Sequence, residues 1–99
     1  MDFIVSRKET KHGLLVVVTD KDILGKAFEE KKRQLDLTKK FYQGDLKSKE
    51  ETKKIIVYAR HVHLTGKGAV AIGVEMDLVD PEKILYVQNV PHAEVTIEN

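Results

Sequence analysis

The segment from His63 to Ala93, HLTGKGAVAIGVEMDLVDPEKILYVQNVPHA, constrains the fold more than any other. Its run Ala69-Val70-Ala71-Ile72-Gly73-Val74 is apolar on every face, and a helix without a polar face is normally buried. Gly66, Gly68, Ala69, Ala71 and Gly73 are all small, so another element can approach this backbone closely. Each glycine inside a helix costs roughly 1 kcal/mol relative to alanine, a loss that implies a packing or binding reason. The pattern predicts a helix over 66–78 with Thr65 as its N-cap. Asp80-Pro81-Glu82 then marks a turn. Ile84-Leu85-Tyr86-Val87 has strand composition, in a strand drawn over 84–89. Pro91 removes one ladder hydrogen bond, which puts it at a bend or a sheet edge, before a last strand over 93–97.

The earlier half supplies the partners for that segment. Asp2 to Arg7 alternates as a strand, and Glu9 to Gly13 reads as a turn. Leu14 to Val18 is a continuous apolar run of strand length, predicted to lie centrally with both faces covered. Asp20 is the expected cap of a short helical turn, Lys21 to Lys26. Glu29 to Arg33 is a charged loop, Gln34 to Thr38 a half-exposed strand, and Lys39 to Asp45 a turn or loop. Ser48 with Glu51 forms a capping box for a helix running to about Arg60, with Ile55, Ile56, Tyr58 and Ala59 buried and Lys49, Lys53 and Lys54 in water. His61 to Leu64 is a short bridge with strand character. These pieces predict one α+β domain over 1–99: a mixed, mainly antiparallel sheet with two principal helices.

Absent residue types exclude several chemistries. With no cysteine there is no disulfide framework, no thiolate zinc site and no cysteine nucleophile. No apolar run approaches about 18 residues, so no membrane partner is expected. The N-terminal segment lacks the apolar stretch of a secretory signal, and a cytoplasmic location is expected. High charge without Cys or Trp also suits a thermophile's protein. The net charge of +1 hides an asymmetry. Residues 1–60 hold 15 Lys and Arg against 10 Asp and Glu, whereas 61–99 hold 2 against 6. Either the first half presents a basic face to an anionic partner, or the two halves interleave and cancel.

Four places can carry chemistry. His61 and His63 would point to one face of a strand and, with His92, offer imidazoles to a metal; the alternative is two surface histidines, and no metal is predicted. His92 follows Pro91 and could be oriented by Glu94 or Asp80 as a general base, or it ties down the bend. Thr65-Gly66-Lys67-Gly68 at a helix start could hold a phosphate on free N–H groups, although close packing explains the same residues. Finally, Lys31, Lys32, Arg33, Lys39 and Lys40 surround a short strand and lead into Phe41-Tyr42. Cations beside an exposed aromatic suit a nucleic-acid surface, with Tyr42 as the stacking ring and Phe41 in the core.

Leu24-Gly25-Lys26 with Phe28, Leu35-x-Leu37, Phe41-Tyr42-x-Gly44, Leu64-x-Gly66 with Ala69-Val70, Leu78-Val79-Asp80-Pro81-Glu82 and Val90-Pro91-His92-Ala93 follow one another in a recognisable order. Over nearly the whole chain this resembles the archaeal family called domain of unknown function 424. The resemblance implies a small archaeal α+β domain and an association with translation or RNA. The family carries other residue types where His61 and His63 stand here, so it lends no metal site.

The leading expectation is a non-catalytic protein that meets RNA or a ribonucleoprotein through Lys31, Lys32, Arg33, Lys39, Lys40 and Tyr42. The alternative is a small-molecule-binding protein or enzyme with a site around Lys26, Gly66, Lys67 and His92. A third is a structural module docking on a protein partner. No catalytic residue and no cofactor is predicted.

Overall fold

Leu14 to Val18 lie in the strand around which the chain is assembled, in a computed structural model that describes residues 2–98. In chain order the elements are β1 (Asp2–Thr10), β2 (Gly13–Asp20), a 3-10 turn (Lys21–Ile23), β3 (Ala27–Glu30), β4 (Arg33–Asp36) and a 3-10 turn (Lys40–Tyr42). There follow β5 (Asp45–Ser48), α1 (Lys49–Ile56), β6 (His61–Thr65), α2 (Lys67–Glu75), a 3-10 turn (Pro81–Lys83), β7 (Leu85–Val87) and β8 (Val90–Thr96). Six strands form one sheet in the order β5-β1-β2-β6-β8-β7, and β3 with β4 forms a separate two-stranded sheet. The β2–β6 pair is parallel; the other paired strands are antiparallel. The chain is one α+β domain with a mixed, mostly antiparallel sheet and two α-helices, as the sequence predicts.

Parallel neighbours need a crossover, and here everything from Lys21 to Arg60 belongs to it. Both faces of the sheet are used. Phe3, Val5, Val16, Val18, Val62, Leu64 and Ala93 point toward the helices and meet Ile56 of α1 and Ala69, Val70 and Ile72 of α2. On the other face a smaller core forms from Leu35, Leu37 and Val87, with Ile23, Phe28, Tyr42 and Val90 around it. Val16, Val17 and Val18 are all fully buried, because β2 has cover on both sides.

Gly73 accounts for the close approach of α2. A methyl group there would lie 2.5 Å from Leu64 Cδ1 and 2.6 Å from Val79 Cγ2. The helix is nevertheless not buried all round: Lys67, Ala71 and Glu75 form an exposed stripe at four-residue spacing. Glu75 receives Lys49 at 3.0 Å and Lys53 at 2.9 Å, so two lysines expected in open water tie α1 to α2.

Several boundaries differ from the sequence reading, each for a local reason. Thr65 ends β6 and does not cap α2; Gly66, at φ +105°, is the N-cap. Asp20 does not cap the turn that follows it, because its carboxylate reaches α2 instead. The capping box of α1 forms as expected, but the helix ends at Ile56 and Tyr58 is 80% exposed, not buried. Glu29 to Arg33 is no loop: these residues close the β3–β4 hairpin, with Lys31 at φ 55° in its turn. β5 falls in a stretch that reads as loop and helix entry, since Leu46 is its only apolar residue. Gln88 and Asn89, at φ 48° and 66°, make the two-residue turn between β7 and β8. Pro91 therefore lies inside β8, beyond the last β6 partners Thr65 and His92, and its carbonyl accepts from Gly66 N–H at 2.8 Å.

Candidate nucleic-acid interface

The N-terminus of α2 is already occupied by the protein's own anion. Asp20 Oδ2 accepts from Gly68 N–H at 2.9 Å and Oδ1 from Ala69 N–H at 2.7 Å. Burial raises the Asp20 carboxyl above its ordinary value, while those two N–H groups pull the other way. The N–H groups expected to receive a phosphate at Thr65-Gly66-Lys67-Gly68 thus hold a carboxylate. A cleft of about 290 Å³ remains beside them, lined by Asp20, Asp22, Ile23, Gly66, Lys67, Asn89, Val90 and Pro91. It gathers Gly66 and Lys67 from the predicted ligand site, whereas Lys26 and His92 are not in its lining. His92 stands on the far face of the sheet, in register with Thr65 and Leu85. Neither expected orienter holds its ring: Asp80 accepts from Glu82 N–H at 3.0 Å, and Glu94 pairs with His63.

That far face carries the richer site. Strand alternation and the β6–β8 register align His61 with Thr96, His63 with Glu94 and Thr65 with His92. His63 Nδ1 lies 3.4 Å from Glu94 Oε1, and His61 Nδ1 lies 3.2 Å from Thr96 Oγ1. With Thr10, His12, Leu15 and Val95 these residues line a cleft of about 430 Å³. Among the described residues no group of three or more His, Asp or Glu side chains is placed to hold a metal ion.

Two aromatic rings lie beside the cleft, behind His63. The Phe41 ring meets His63 edge-on at 5.2 Å and Tyr42 at 5.1 Å. Lys8 Nζ sits 5.5 Å from the centre of the Phe41 ring and donates to Ser6 Oγ at 3.0 Å. Phe41, expected in the core, is only partly buried and lies in this polar surround. Tyr42 packs on the Leu35–Leu37–Val87 core, and burial, with Glu94 and Asp36 nearby, raises its phenol above the ordinary range.

The predicted cations divide into two groups. Lys39 and Lys40 are exposed at the turn that leads into Phe41. Lys31 and Lys32 form the exposed tip of the hairpin, where Glu30 and Arg33 complete a shallow hollow. Arg33 is also structural, since its Nη1 donates to Tyr86 O at 3.3 Å, while Glu30 Oε1 accepts from Gln88 N–H at 3.0 Å. These two contacts fasten the hairpin to the outer edge of β7. Sequence reasoning missed Lys8 and His12, because only the β1–β2 hairpin and the β2–β6 register bring them beside His61 and His63.

A family model described as "Protein of unknown function (DUF424)" matches residues 8–97. No curated protein matches the chain. Among solved structures, the crystal structure of an uncharacterized conserved protein from Methanopyrus kandleri superposes with a TM-score of 0.78 at 22% identity, covering 100% of this chain and 96% of the other. That likeness concerns the fold. Among the described residues no helix is long and apolar enough to cross a membrane.

Proposed function

The chain belongs to the DUF424 family, and from its own geometry we propose a non-catalytic domain that binds RNA, free or within a ribonucleoprotein, in the cytoplasm. The observation that carries this reading is the Lys8–Phe41–His63 assembly, entered directly from Lys39-Lys40. A partly exposed ring beside a cation, with further lysines next to it in the chain, is what an unpaired base stacks on while its phosphates are neutralised. Phe41 takes the stacking role expected of Tyr42, whose ring is engaged by the second core. Lys31 and Lys32 extend the basic surface along the hairpin. Arg33 contributes through position as much as through charge.

Labelled single-stranded RNA titrated at several salt concentrations tests this. Each phosphate contact releases counterions and contributes about −0.7 to the log–log slope for single strands. Replacing Lys39 and Lys40 together by Gln should weaken binding and make the slope shallower by roughly 1.4. Absence of binding by the folded wild-type protein at low salt defeats the proposal.

A further inference from the structure

We propose that the cleft between His61, His63 and Glu94 takes one unpaired nucleobase bearing an exocyclic amino group, so cytosine, adenine or guanine in preference to uracil. This rests on the RNA-binding reading above and specifies which part of the RNA enters the site. At about 430 Å³ the cleft falls within the roughly 300–1,000 Å³ common for small-ligand sites. Leu15 gives it apolar lining, and His61, Thr96, Thr10 and Glu94 give it hydrogen-bonding groups.

The carboxylate decides which chemical part of a nucleotide fits. The Glu94 side chain is 73% exposed, so it stays available although Oε1 lies near His63. A negative charge in the cleft repels phosphate, which is left to Lys8, Lys39 and Lys40 outside it. The same carboxylate accepts hydrogen bonds from an amino group, the pairing by which Glu and Asp select cytosine. Uracil offers a carbonyl at that place and would set oxygen against oxygen. His61 Nδ1 is engaged by Thr96, so its Nε2 is the ring nitrogen left for the base. The His63 ring lines the cleft and is the face against which such a base can lie, while Phe41 meets that ring edge-on from beside it. Unstacked bases held this way are the usual route by which proteins read RNA sequence.

The test compares short oligocytidylate and oligouridylate of equal length by fluorescence anisotropy. The wild-type protein should bind oligocytidylate roughly tenfold tighter. Glu94→Ala should abolish that preference while leaving the salt slope unchanged, and the exposure of Glu94 means the variant should fold, as circular dichroism checks. Equal wild-type affinities, or a preference that survives Glu94→Ala, overturn this inference and leave the RNA-binding proposal standing. Failure of both oligomers to bind at low salt overturns the two together.

Discussion

The protonation of His92 is coupled to the fold. Burial lowers its pKa, Glu94 opposes the shift, and Arg33 and His63 add to it. The native state therefore binds a proton less readily than the unfolded chain, whose imidazole keeps an ordinary value near 6.5. Its stability contribution is accordingly present above that value and is lost as pH falls from it through the lower native pKa. Denaturant titrations across this window should show a falling midpoint for the wild-type protein and a smaller fall for His92→Gln. An unchanged pH dependence in that variant would assign the effect to another group. The spacing of His61 and His63 discloses their shared face once β6 is a strand. Their partners Glu94 and Thr96 are not legible, because register between distant strands is set by tertiary packing and no local pattern encodes it.

Among the elements, α2 shows what its small residues are for. At Gly73 the atoms that an added side chain would meet belong to Leu64 and Val79, both buried in the core. Gly73→Leu should destabilise the domain by about 1–3 kcal/mol or more, even though it removes a glycine penalty of roughly 1 kcal/mol. Thermal unfolding measures the balance, and an unchanged midpoint would place α2 away from Leu64. Composition alone announces this element, yet it cannot reveal the cap. Asp20 precedes Gly68 by 48 residues, so local spacing ties it only to the turn beside it. Tyr58 misleads for a related reason: it continues the helical pattern past the point where α1 ends, and so reads as inward-facing. β5 escapes notice because a four-residue strand with one apolar side chain has no periodicity to detect.

At the scale of the whole molecule, one sheet separates two cores of unequal size. Among the described residues the helix side holds thirteen buried ones, whereas the hairpin side holds Leu35, Leu37 and Val87. Unequal cores predict unequal opening: the β3–β4 hairpin should unfold locally before the sheet does. Leu37→Ala, which removes a fully buried side chain, should cost about 2–5 kcal/mol of local stability. Hydrogen exchange should then accelerate in β3, β4 and β7 more than in β2 and β6, and uniform acceleration would refute the division. Because Lys31 and Lys32 ride on this hairpin, that extension of the basic surface should be displaced whenever the hairpin opens.

The parallel pairing of β2 with β6 also has a consequence in time. Some forty residues separate the end of β2 from the start of β6, and closing so long a connection costs chain entropy before any pairing repays it. A chain emerging from the ribosome completes the Val16-Val17-Val18 stripe long before β6 and α2 exist to cover it. The hairpin with β1 can form at once, and β5 can join it, but the middle of the molecule stays open until the second half arrives. The nascent protein thus carries its most apolar strand without its parallel neighbour until β6 and α2, some forty residues further on, arrive to complete the cover.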